Sequence, residues 1–265
     1  MTRRLCLVTG ASAGIGEAFA RLYARHGHDL VLTARRTDRL ERLAWELRDL
    51  HDVEVQVISA DLGEPGAVDR ILAAIETRGR EVDVLVNNAG YSLTGAFAET
   101  TWGDQQVFLQ VLLTSVCEMT HKLLPGMLSR GYGRIINVAS VAGLIPGLPG
   151  ATLYGPAKAF LVRFSQGLNV ETLGTGVHVT ALCPGFTRSE FHDVNGTRGE
   201  ADRLPKWMWL DADTVAELGY QAVEAGQAVR VTGIPNKLIY AICSVVPDPW
   251  VLAFVGRRAA RFKGL

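Results

Sequence analysis

Short apolar runs alternate along this chain with longer segments of helical periodicity. The strand-like runs are LCLVT, DLVLT, VEVQVIS, VDVLVN, GRIINVAS, VHVTALC and, more weakly, QAVRVTG. The helical patterns between the first four runs cover Gly14 to His26, Asp38 to Leu50 and Glu64 to Arg78. Strands that alternate with helices are joined by crossover connections, which favour a parallel sheet with helices on both faces. We therefore expect a doubly wound α/β fold.

Size and composition predict one globular domain. The 265 residues are 48% hydrophobic and 20% charged, and no linker or low-complexity tract divides them. Lys and Arg total 27 and Asp and Glu also total 27, so no net charge attracts nucleic acid and we expect no such partner. Four scattered cysteines suit neither a disulfide framework nor a metal site, and the apolar run after the basic start is too short for a signal peptide. We expect a cytoplasmic protein that binds no metal.

The first strand leads into the glycine-rich segment TGASAGIG, which precedes a helix. Gly10, Gly14 and Gly16 let the backbone turn tightly and approach a pyrophosphate, which the N–H groups of the helix N-terminus then bind. A glycine cluster alone is a weak indication. Its position between a strand and a helix, at the start of the alternating pattern, favours a dinucleotide site over an ordinary glycine turn.

The end of the second strand indicates which dinucleotide binds. An acidic residue there usually binds a free ribose 2′-hydroxyl, whereas arginine is suited to a 2′-phosphate. The sequence TARRTD has Ala34 in place of a carboxylate, followed by Arg35 and Arg36. We expect NADP(H) to be favoured over NAD(H). The alternative is that both arginines are solvated residues ahead of a helix cap at Thr37.

The segment LYGPAKAF places Tyr154 and Lys158 four positions apart, with Gly155 and Pro156 between them. An apolar stripe after Ala157 predicts a helix, so Pro156 falls in its first turn, where the missing N–H has no helical partner to lose. Tyr154 and Lys158 then share one face of the helix. We expect the charge of the lysine to lower the pKa of the phenol. The alternative is an ordinary surface pair.

Five motifs follow one another along the chain. They are TGASAGIG, NNAG at Asn87 to Gly90, NVAS ending at Ser140, YGPAK, and CPGF at Cys183 to Phe186. In this order the chain resembles the short-chain dehydrogenase/reductase family from Thr9 to Ser189. The resemblance implies a single NAD(P)-binding domain over residues 1–265, with a Rossmann-type sheet of about seven strands. It also implies an NADPH-dependent oxidoreductase that interconverts a ketone and a secondary alcohol.

The resemblance assigns catalytic roles to three residues. Ser140 is implied to hydrogen-bond the substrate carbonyl, Tyr154 to act as the general acid or base, and Lys158 to hold the nicotinamide ribose. These groups suit the reaction, because reducing a ketone builds negative charge on its oxygen. The residues implied to bind the cofactor are Gly10, Ser12, Gly14, Ile15, Gly16, Arg35, Arg36, Asp61, Leu62, Asn88, Ala89, Gly90, Tyr154, Lys158, Pro184, Gly185, Thr187 and Ser189.

The chain departs from the family at Leu112, where an asparagine usually stands. A local kink at this position is implied to let a main-chain carbonyl hold a water molecule. Leucine retains the carbonyl but cannot make the amide contacts that favour a kink. Thr114 or Ser115 can bend the helix instead, by bonding back to a carbonyl one turn earlier. We therefore expect an active enzyme with an altered proton supply.

Two segments outside the alternating pattern are candidates for substrate recognition. Residues 186–210 end in two tryptophans, a methionine and a leucine, which suit a lid over an apolar substrate. The apolar extension 234–265 is interrupted by Asp248 and two prolines, so it is either a hood over the site or a surface that meets lipid or another subunit. This layout is similar to that of ketoacyl and hydroxysteroid-type reductases, which implies a hydrophobic ketone such as a 3-oxoacyl compound.

Two alternatives from other functional classes stay open. One is a catalytically silent NADP(H)-binding regulator, which need not retain Ser140, Tyr154 and Lys158 together. The other is a membrane-surface protein in which the C-terminal extension makes peripheral membrane contact. Members of the family are commonly oligomers, so the resemblance implies a homodimer or homotetramer. Its interface is expected on the helices around Gln105 to Leu124 and Ala157 to Leu173.

Overall fold

Seven parallel strands form one sheet, as the sequence predicts. The structure is a computed structural model that describes residues 3–147, 151–191, 195, 199, 205–253 and 255. The strands are β1 (Leu5–Thr9), β2 (Asp29–Ala34), β3 (Val55–Ser59), β4 (Val84–Asn87), β5 (Gly133–Val138), β6 (Val177–Cys183) and β9 (Val229–Val231). Their order is β3-β2-β1-β4-β5-β6-β9, and all neighbours are parallel. The order reverses between β1 and β4, which opens a crevice at the carboxyl ends of these strands.

Helices cover both faces of the sheet, which confirms the doubly wound fold. They are α1 (Gly14–Arg25), α2 (Thr37–His51), α3 (Ala67–Glu76), α4 (Trp102–Leu109), α5 (Ser115–Arg130), α6 (Tyr154–Glu171), α7 (Ala212–Glu224) and α8 (Ile234–Val245). Phe19 of α1, Leu43 of α2 and Val215 of α7 are buried on one face. Ile71 of α3 and Phe108 of α4 are buried on the other. A third, smaller cluster includes Val116 of α5 and Leu161 of α6. The apolar stripes of the helices therefore pack on both sides of the sheet.

Two helix starts differ from the sequence-based expectation. Helix α3 begins at Ala67 rather than Glu64, because Gly66 has a φ of 72°, a left-handed conformation that interrupts a helix. Thr37 is the first residue of α2 and not its cap, since Arg36 occupies the cap position. The Thr37 hydroxyl instead donates to Ser59 Oγ at 2.9 Å, which joins the start of α2 to the end of β3.

A small two-stranded ribbon lies beyond β6. Strand β7 (Thr187–Arg188) pairs in parallel with β8 (Leu210–Asp211), and a 3-10 turn at Lys206–Met208 precedes β8. The predicted loop 186–210 therefore leaves and rejoins the fold at one place. The parts of this loop and of the predicted extension 234–265 that lie outside the described residues are 192–194, 196–198, 200–204, 254 and 256–265.

The run from Trp102 to Arg130, which contains α4 and α5, is long and apolar enough to cross a membrane by length and composition alone. Within this run, Phe108, Leu112 and Met119 are buried in the core against the sheet. A helix whose apolar side chains are already covered by the sheet is a core element of the domain.

Candidate active site

A cavity of about 680 Å³ lies at the carboxyl ends of the strands, beside the reversal of strand order. Its wall contains residues from the turn after β1, the end of β2, the segment after β4 and the first turn of α6. Cavities at this place in a doubly wound sheet bind nucleotides, because loop N–H groups and helix N-termini converge there.

The glycine-rich turn between β1 and α1 has the geometry of a phosphate cradle. Gly10 and Gly14 have φ of +66° and +59°, which glycine adopts without strain. Ala13, the cap residue of α1, lines the cavity and makes no side-chain capping bond, so the helix start suits a pyrophosphate. A Cβ on Gly16 would lie 2.3 Å from the Gly10 carbonyl oxygen. Gly16 does not line the cavity, so its place is to let α1 pack closely on the turn.

The other predicted cofactor residues surround the same cavity, and which of them touch the dinucleotide stays a prediction. Those not yet placed are Ser12, Ile15, Arg35, Arg36, Asp61, Leu62, Asn88, Ala89, Gly90, Tyr154, Lys158, Pro184, Gly185, Thr187 and Ser189. Asn88 holds this wall together, since its Nδ2 donates to the carbonyl oxygens of Thr9 and Gly10 at 3.0 and 3.2 Å. These bonds join the ends of β1 and β4 beneath the glycine-rich turn.

The two arginines expected to select the cofactor differ in position. Arg36 Nε and Nη2 donate to Ser12 Oγ at 3.2 and 3.1 Å, beside the glycine-rich turn. The Arg35 side chain is 70% exposed, and its Nη1 lies 3.8 Å from Asp61 Oδ2. Arg36 is therefore the better placed of the two to bind a 2′-phosphate.

Glu190 and Arg39 also belong to this end of the site, although sequence reasoning missed both. Arg36 Nη1 lies 2.8 Å from Glu190 Oε2, and Arg39 Nη1 lies 2.5 Å from Glu190 Oε1. Hydrogen bonds from Arg39 and then Arg36 hold the pKa of the Glu190 carboxyl below its usual range. Arg36 and Arg39 are three residues apart at the start of α2, and residues at this spacing lie on the same face of a helix. This spacing could have indicated Arg39 from the sequence. No nearby residue in the sequence indicates the partners of Glu190.

Ser140, Tyr154 and Lys158 meet at the other end of the cavity. Ser140 follows β5, and its Oγ accepts a hydrogen bond from the Ala142 N–H at 3.1 Å. Lys158 Nζ donates to the Val138 carbonyl oxygen at 2.7 Å and lies 5.7 Å from the centre of the Tyr154 ring. The structure therefore brings together the three residues that the sequence motifs grouped.

Burial changes the acidity of two of these groups. It raises the pKa of Tyr154 to about 12, with the Ser140 hydroxyl opposing the shift, and it lowers the pKa of Lys158 to about 8. The expectation that Lys158 lowers the pKa of Tyr154 is wrong for this structure. The desolvation cost of the phenolate outweighs the electrostatic effect of Lys158, whose ammonium group is bonded to the Val138 carbonyl. At neutral pH the phenol is protonated and the lysine is charged, so Tyr154 is able to donate a proton.

A comparison with known families gives the identity of the domain. The family described as short chain dehydrogenase matches residues 4–198, which contain the glycine-rich turn, the three grouped residues and six of the seven strands of the main sheet. The chain belongs to the short-chain dehydrogenase family. It is an NAD(P)-dependent oxidoreductase that acts on CH–OH and C=O groups.

Individual relatives of this short-chain dehydrogenase act on different compounds. Sulfoacetaldehyde reductase from Chromohalobacter salexigens is 39% identical over 215 residues, which cover 79% of this chain and 84% of that protein. Very-long-chain 3-oxoacyl-CoA reductase from Anas platyrhynchos is 38% identical over 194 residues, which cover 71% of this chain and 61% of that protein. A short-chain dehydrogenase from Sphingobium yanoikuyae, solved in complex with NADPH, superposes with a TM-score of 0.78 at 32% identity, covering 99% of this chain and 96% of that chain.

The helix that carries Leu112 is irregular in this short-chain dehydrogenase. A π-helical turn over Gln110–Thr114 joins α4 to α5, and the Ser115 N–H bonds to the carbonyl oxygen of Gln110, five residues back. Ser115 Oγ donates to the Val111 carbonyl oxygen at 2.7 Å. The back-bonded hydroxyl that the sequence offered at Thr114 or Ser115 is present at Ser115. The π-helical turn therefore forms although Leu112, which is 1% exposed, offers no amide.

Part of the cavity lining is apolar. It includes Val141, Ile145, Phe186, Phe191, Met208 and Ile239. Among the tryptophans of the predicted lid, Trp207 is exposed, and Trp209 packs on Phe186 at 5.6 Å between ring centres. Of the four large apolar residues at the end of this segment, Trp207 to Leu210, Met208 is the one that lines the cavity. Ile239 and Asn236 come from α8, for which the sequence left a hood and an outer surface as alternatives.

No group of three or more His, Cys, Asp or Glu residues that could hold a metal ion occurs in the described parts of the chain. All four cysteines are free thiols, with Cys6 and Cys183 buried and Cys117 and Cys243 partly exposed. The titratable side chains that line the cavity are those of Tyr91, Tyr154, Lys158, Arg35, Arg36, Asp61 and Glu190, and Ser140 adds a hydroxyl.

Proposed function

We propose that this enzyme uses NADPH to reduce an apolar ketone, such as a 3-oxoacyl compound, to the secondary alcohol. The observation that carries the proposal is one cavity lined by Arg36, by the group Ser140, Tyr154 and Lys158, and by several apolar side chains. Arg39 joins Arg36 through Glu190. Such a cavity has room for a cofactor phosphate and an uncharged substrate.

The residues divide the reaction between them. Bound NADPH would supply the hydride that adds to the carbonyl carbon. The Ser140 hydroxyl hydrogen-bonds the carbonyl oxygen and holds it near Tyr154. Tyr154, protonated because burial raises its pKa to about 12, donates its proton to the oxygen as negative charge develops there. Lys158 is charged at neutral pH, and its Nζ lies 5.7 Å from the centre of the Tyr154 ring. This positive charge favours the negative charge that develops on the substrate oxygen.

The preference for NADP(H) is supported by the end of β2. Ala34 supplies no carboxylate for a 2′-hydroxyl, while Arg36 is held against the glycine-rich turn through Ser12. The solved relative from Sphingobium yanoikuyae was crystallised with NADPH. A cation at this position binds a phosphate more strongly than a hydroxyl, because hydrogen bonds between charged groups are about twice as strong as those between neutral groups.

A panel of carbonyl compounds tests the reaction and the substrate class together. We expect NADPH-dependent turnover of 3-oxoacyl thioesters and steroid ketones at a kcat/KM at least about tenfold above that for sulfoacetaldehyde, because a charged sulfonate gains nothing from an apolar wall. Tyr154→Phe should lose about 10²-fold or more of the turnover on the same ketone and retain NADPH binding. Activity confined to sulfoacetaldehyde or other small polar compounds contradicts the apolar substrate. Wild-type protein that binds NADPH and turns over nothing supports the silent regulator.

The surface and location of the protein are proposals of the same kind. We propose a cytoplasmic homodimer or homotetramer, supported by four reduced cysteines and by exposed apolar residues such as Val170 on α6. Helix α8 also exposes apolar side chains, among them Leu238 and Ile242, which favours peripheral membrane contact as a second role for the C-terminal extension. Flotation of a Leu238→Glu/Ile242→Glu variant with anionic liposomes, compared with wild type, tests this contact, since loss of flotation is expected.

A further inference from the structure

Glu190 occupies the position of an anion between two cations. Its two carboxylate oxygens each accept from a different arginine, Oε2 from Arg36 at 2.8 Å and Oε1 from Arg39 at 2.5 Å. The Glu190 side chain is 40% exposed and faces the cavity. Arg36 is also bonded to Ser12 of the glycine-rich turn, so the carboxylate lies at the end of the site where a 2′-phosphate is expected.

The residues on either side of Glu190 contact two other parts of the site. Ser189 lies against the glycine-rich turn, where its Cβ is 2.8 Å from the position that a Cβ on Gly14 would occupy. The Phe191 ring packs on the Tyr154 ring at 5.9 Å between centres. Residues 189–191, which we call the latch segment, therefore reach from the phosphate end of the cavity to the catalytic tyrosine.

A phosphate and the Glu190 carboxylate cannot both bind Arg36 and Arg39 at the same time. The guanidinium groups of Arg36 and Arg39 donate to the carboxylate in the same way that arginines bind phosphate oxygens. A phosphate placed between them meets a carboxylate of like charge at short range, and like charges at short range repel. Binding of a 2′-phosphate therefore requires the Glu190 carboxylate to move away from the arginines. An adenosine without that phosphate binds without displacing it.

We propose that the 2′-phosphate of the cofactor displaces Glu190 from Arg36 and Arg39, and that this release moves Phe191 away from Tyr154 and opens the substrate side of the site. The inference rests on the proposed use of NADP(H). The latch segment then makes access to Tyr154 depend on the correct cofactor. NADH fills the remaining subsites without breaking either ion pair, so the latch segment stays in place.

Binding of two nucleotides that differ by one phosphate tests the displacement. Calorimetry should show that adenosine 2′,5′-bisphosphate binds wild type more tightly than AMP does. Glu190→Gln should tighten the bisphosphate about fivefold further, since exposed ion pairs are modest in strength, and should leave AMP unchanged. The matched control is Glu46→Gln. Glu46 is 37% exposed and bridges Arg21 through both oxygens, so this variant makes the same change in net charge away from the cavity.

The outcomes separate this inference from the proposed cofactor. Equal affinity of wild type for the two nucleotides overturns the preference for NADP(H) and, with it, the proposed displacement of Glu190. A bisphosphate preference that Glu190→Gln leaves unchanged, or that Glu46→Gln alters equally, overturns the latch and leaves the cofactor assignment intact. Only a gain specific to Glu190→Gln and to the bisphosphate supports the displacement.

Hydrogen exchange tests the movement. In wild type, adenosine 2′,5′-bisphosphate should speed amide exchange in a peptide covering 186–191 about fivefold, and AMP should not, because only the bisphosphate releases the ion pairs. In the Glu190→Gln variant, the amides of this peptide should exchange at the faster rate without any nucleotide. Exchange in this peptide that is slowed or unchanged by the bisphosphate in wild type overturns the opening of the substrate side.

Discussion

At the scale of single residues, the site depends on charges held at fixed places. Lys158 is 5% exposed, and its ammonium group has the Val138 carbonyl as a hydrogen-bond acceptor. A charge with so little contact with water is easier to remove, which is why its pKa lies at about 8. Arg36 is only partly buried and is fixed by Ser12 and Glu190. The pKa of the lysine falls within the range of ordinary assays, whereas arginine remains charged throughout that range.

The rate of ketone reduction should therefore fall as the pH rises through about 8. Lys158 is charged below its pKa of about 8 and neutral above it, and the developing negative charge on the substrate oxygen is stabilised only by the charged form. A plot of log kcat/KM against pH, which reports the free enzyme, should be level below this value and decline with a slope approaching −1 above it. Lys122→Arg, a change at an ion-paired lysine distant from the cavity, should leave the profile unchanged. A level profile up to about pH 9.5 contradicts the assignment of the inflection to Lys158.

Arg36 should contribute more to cofactor selection than Arg35. Arg36→Ala removes the cation fixed at the glycine-rich turn, so the ratio of kcat/KM for NADPH to that for NADH should fall about tenfold or more, as expected for a lost charge-assisted bond. Arg35→Ala, at a side chain that is 70% exposed, should change the ratio by less than about threefold. Equal effects of the two substitutions, or a larger one at Arg35, contradict this assignment.

The residues of the site were predictable where the motif places them close together in the chain or at strand ends. Tyr154 and Lys158 lie one helical turn apart, and Ser140 and Asn88 follow buried strands. Glu190 was not predictable, because its partner Arg36 lies 154 positions earlier and the two meet only after the sheet has formed. The raised pKa of Tyr154 was missed for a related reason, since burial is a property of the packed site.

At the scale of elements, one close contact sets the position of α6. The turn Val141–Gly143 after β5 approaches the first turns of α6 so closely that a Cβ on Gly143 would lie 2.5 Å from the Lys158 carbonyl carbon and 2.6 Å from the Ala159 nitrogen. Both neighbours are main-chain atoms of a helix, which cannot give way singly. The glycine therefore fixes the distance between Ser140 and the helix that carries the tyrosine and lysine.

Gly143→Ala should push α6 outward and lower both stability and turnover. Overpacking of this kind costs about 1–3 kcal/mol of unfolding free energy, and the displaced tyrosine should reduce kcat by about tenfold or more because misplaced groups lose effective concentration. Gly167→Ala is the matched control, since Gly167 lies in α6 and a Cβ added there would have no atom within 4 Å. It should raise stability slightly. Urea unfolding measures the free energy of unfolding, and steady-state kinetics measure kcat. Equal changes in these two quantities in Gly143→Ala and Gly167→Ala contradict the close contact.

The elements themselves were largely predictable. The run VHVTALC is β6 without adjustment, because β-branched residues in it are buried on both faces. The starts of α2 and α3 were not predicted to the residue, since a cap depends on one residue's backbone angles. The π-helical turn was anticipated only as a bend at Thr114 or Ser115, because the sequence shows which hydroxyls are available but not which of them reaches a carbonyl.

At the scale of the whole molecule, the surface of α6 is less polar than a solvent-facing helix needs. Phe160 is 42% exposed and stacks on Phe164, and Val170 is 66% exposed further along the helix. Leu173, just after the helix, is 71% exposed. Apolar residues that follow one another along a long helix form a surface suited to a symmetric contact with a second copy of the chain.

We expect Val170→Glu to reduce the size of the proposed oligomer. A symmetric interface brings each substituted residue close to its symmetry mates or into an apolar contact, so the new charge is desolvated without a partner. Light scattering coupled to gel filtration should show a lower mass than for wild type. Leu50→Glu, at a residue of α2 that is 61% exposed, should leave the mass unchanged. Wild type that is already a monomer, or a Val170→Glu variant with wild-type mass, contradicts the α6 interface.

The ribbon of β7 and β8 bears on how this domain can acquire new specificities. Its two short strands lie side by side, so the chain leaves the ribbon at Arg188 and returns to it at Leu210. Insertions or deletions between Phe191 and Lys206 change the length of a closed loop without shifting either end, and loop length alone has a small effect on stability. Evolution, or a protein engineer, is therefore able to exchange this stretch for another while the reaction chemistry stays on β5 and α6.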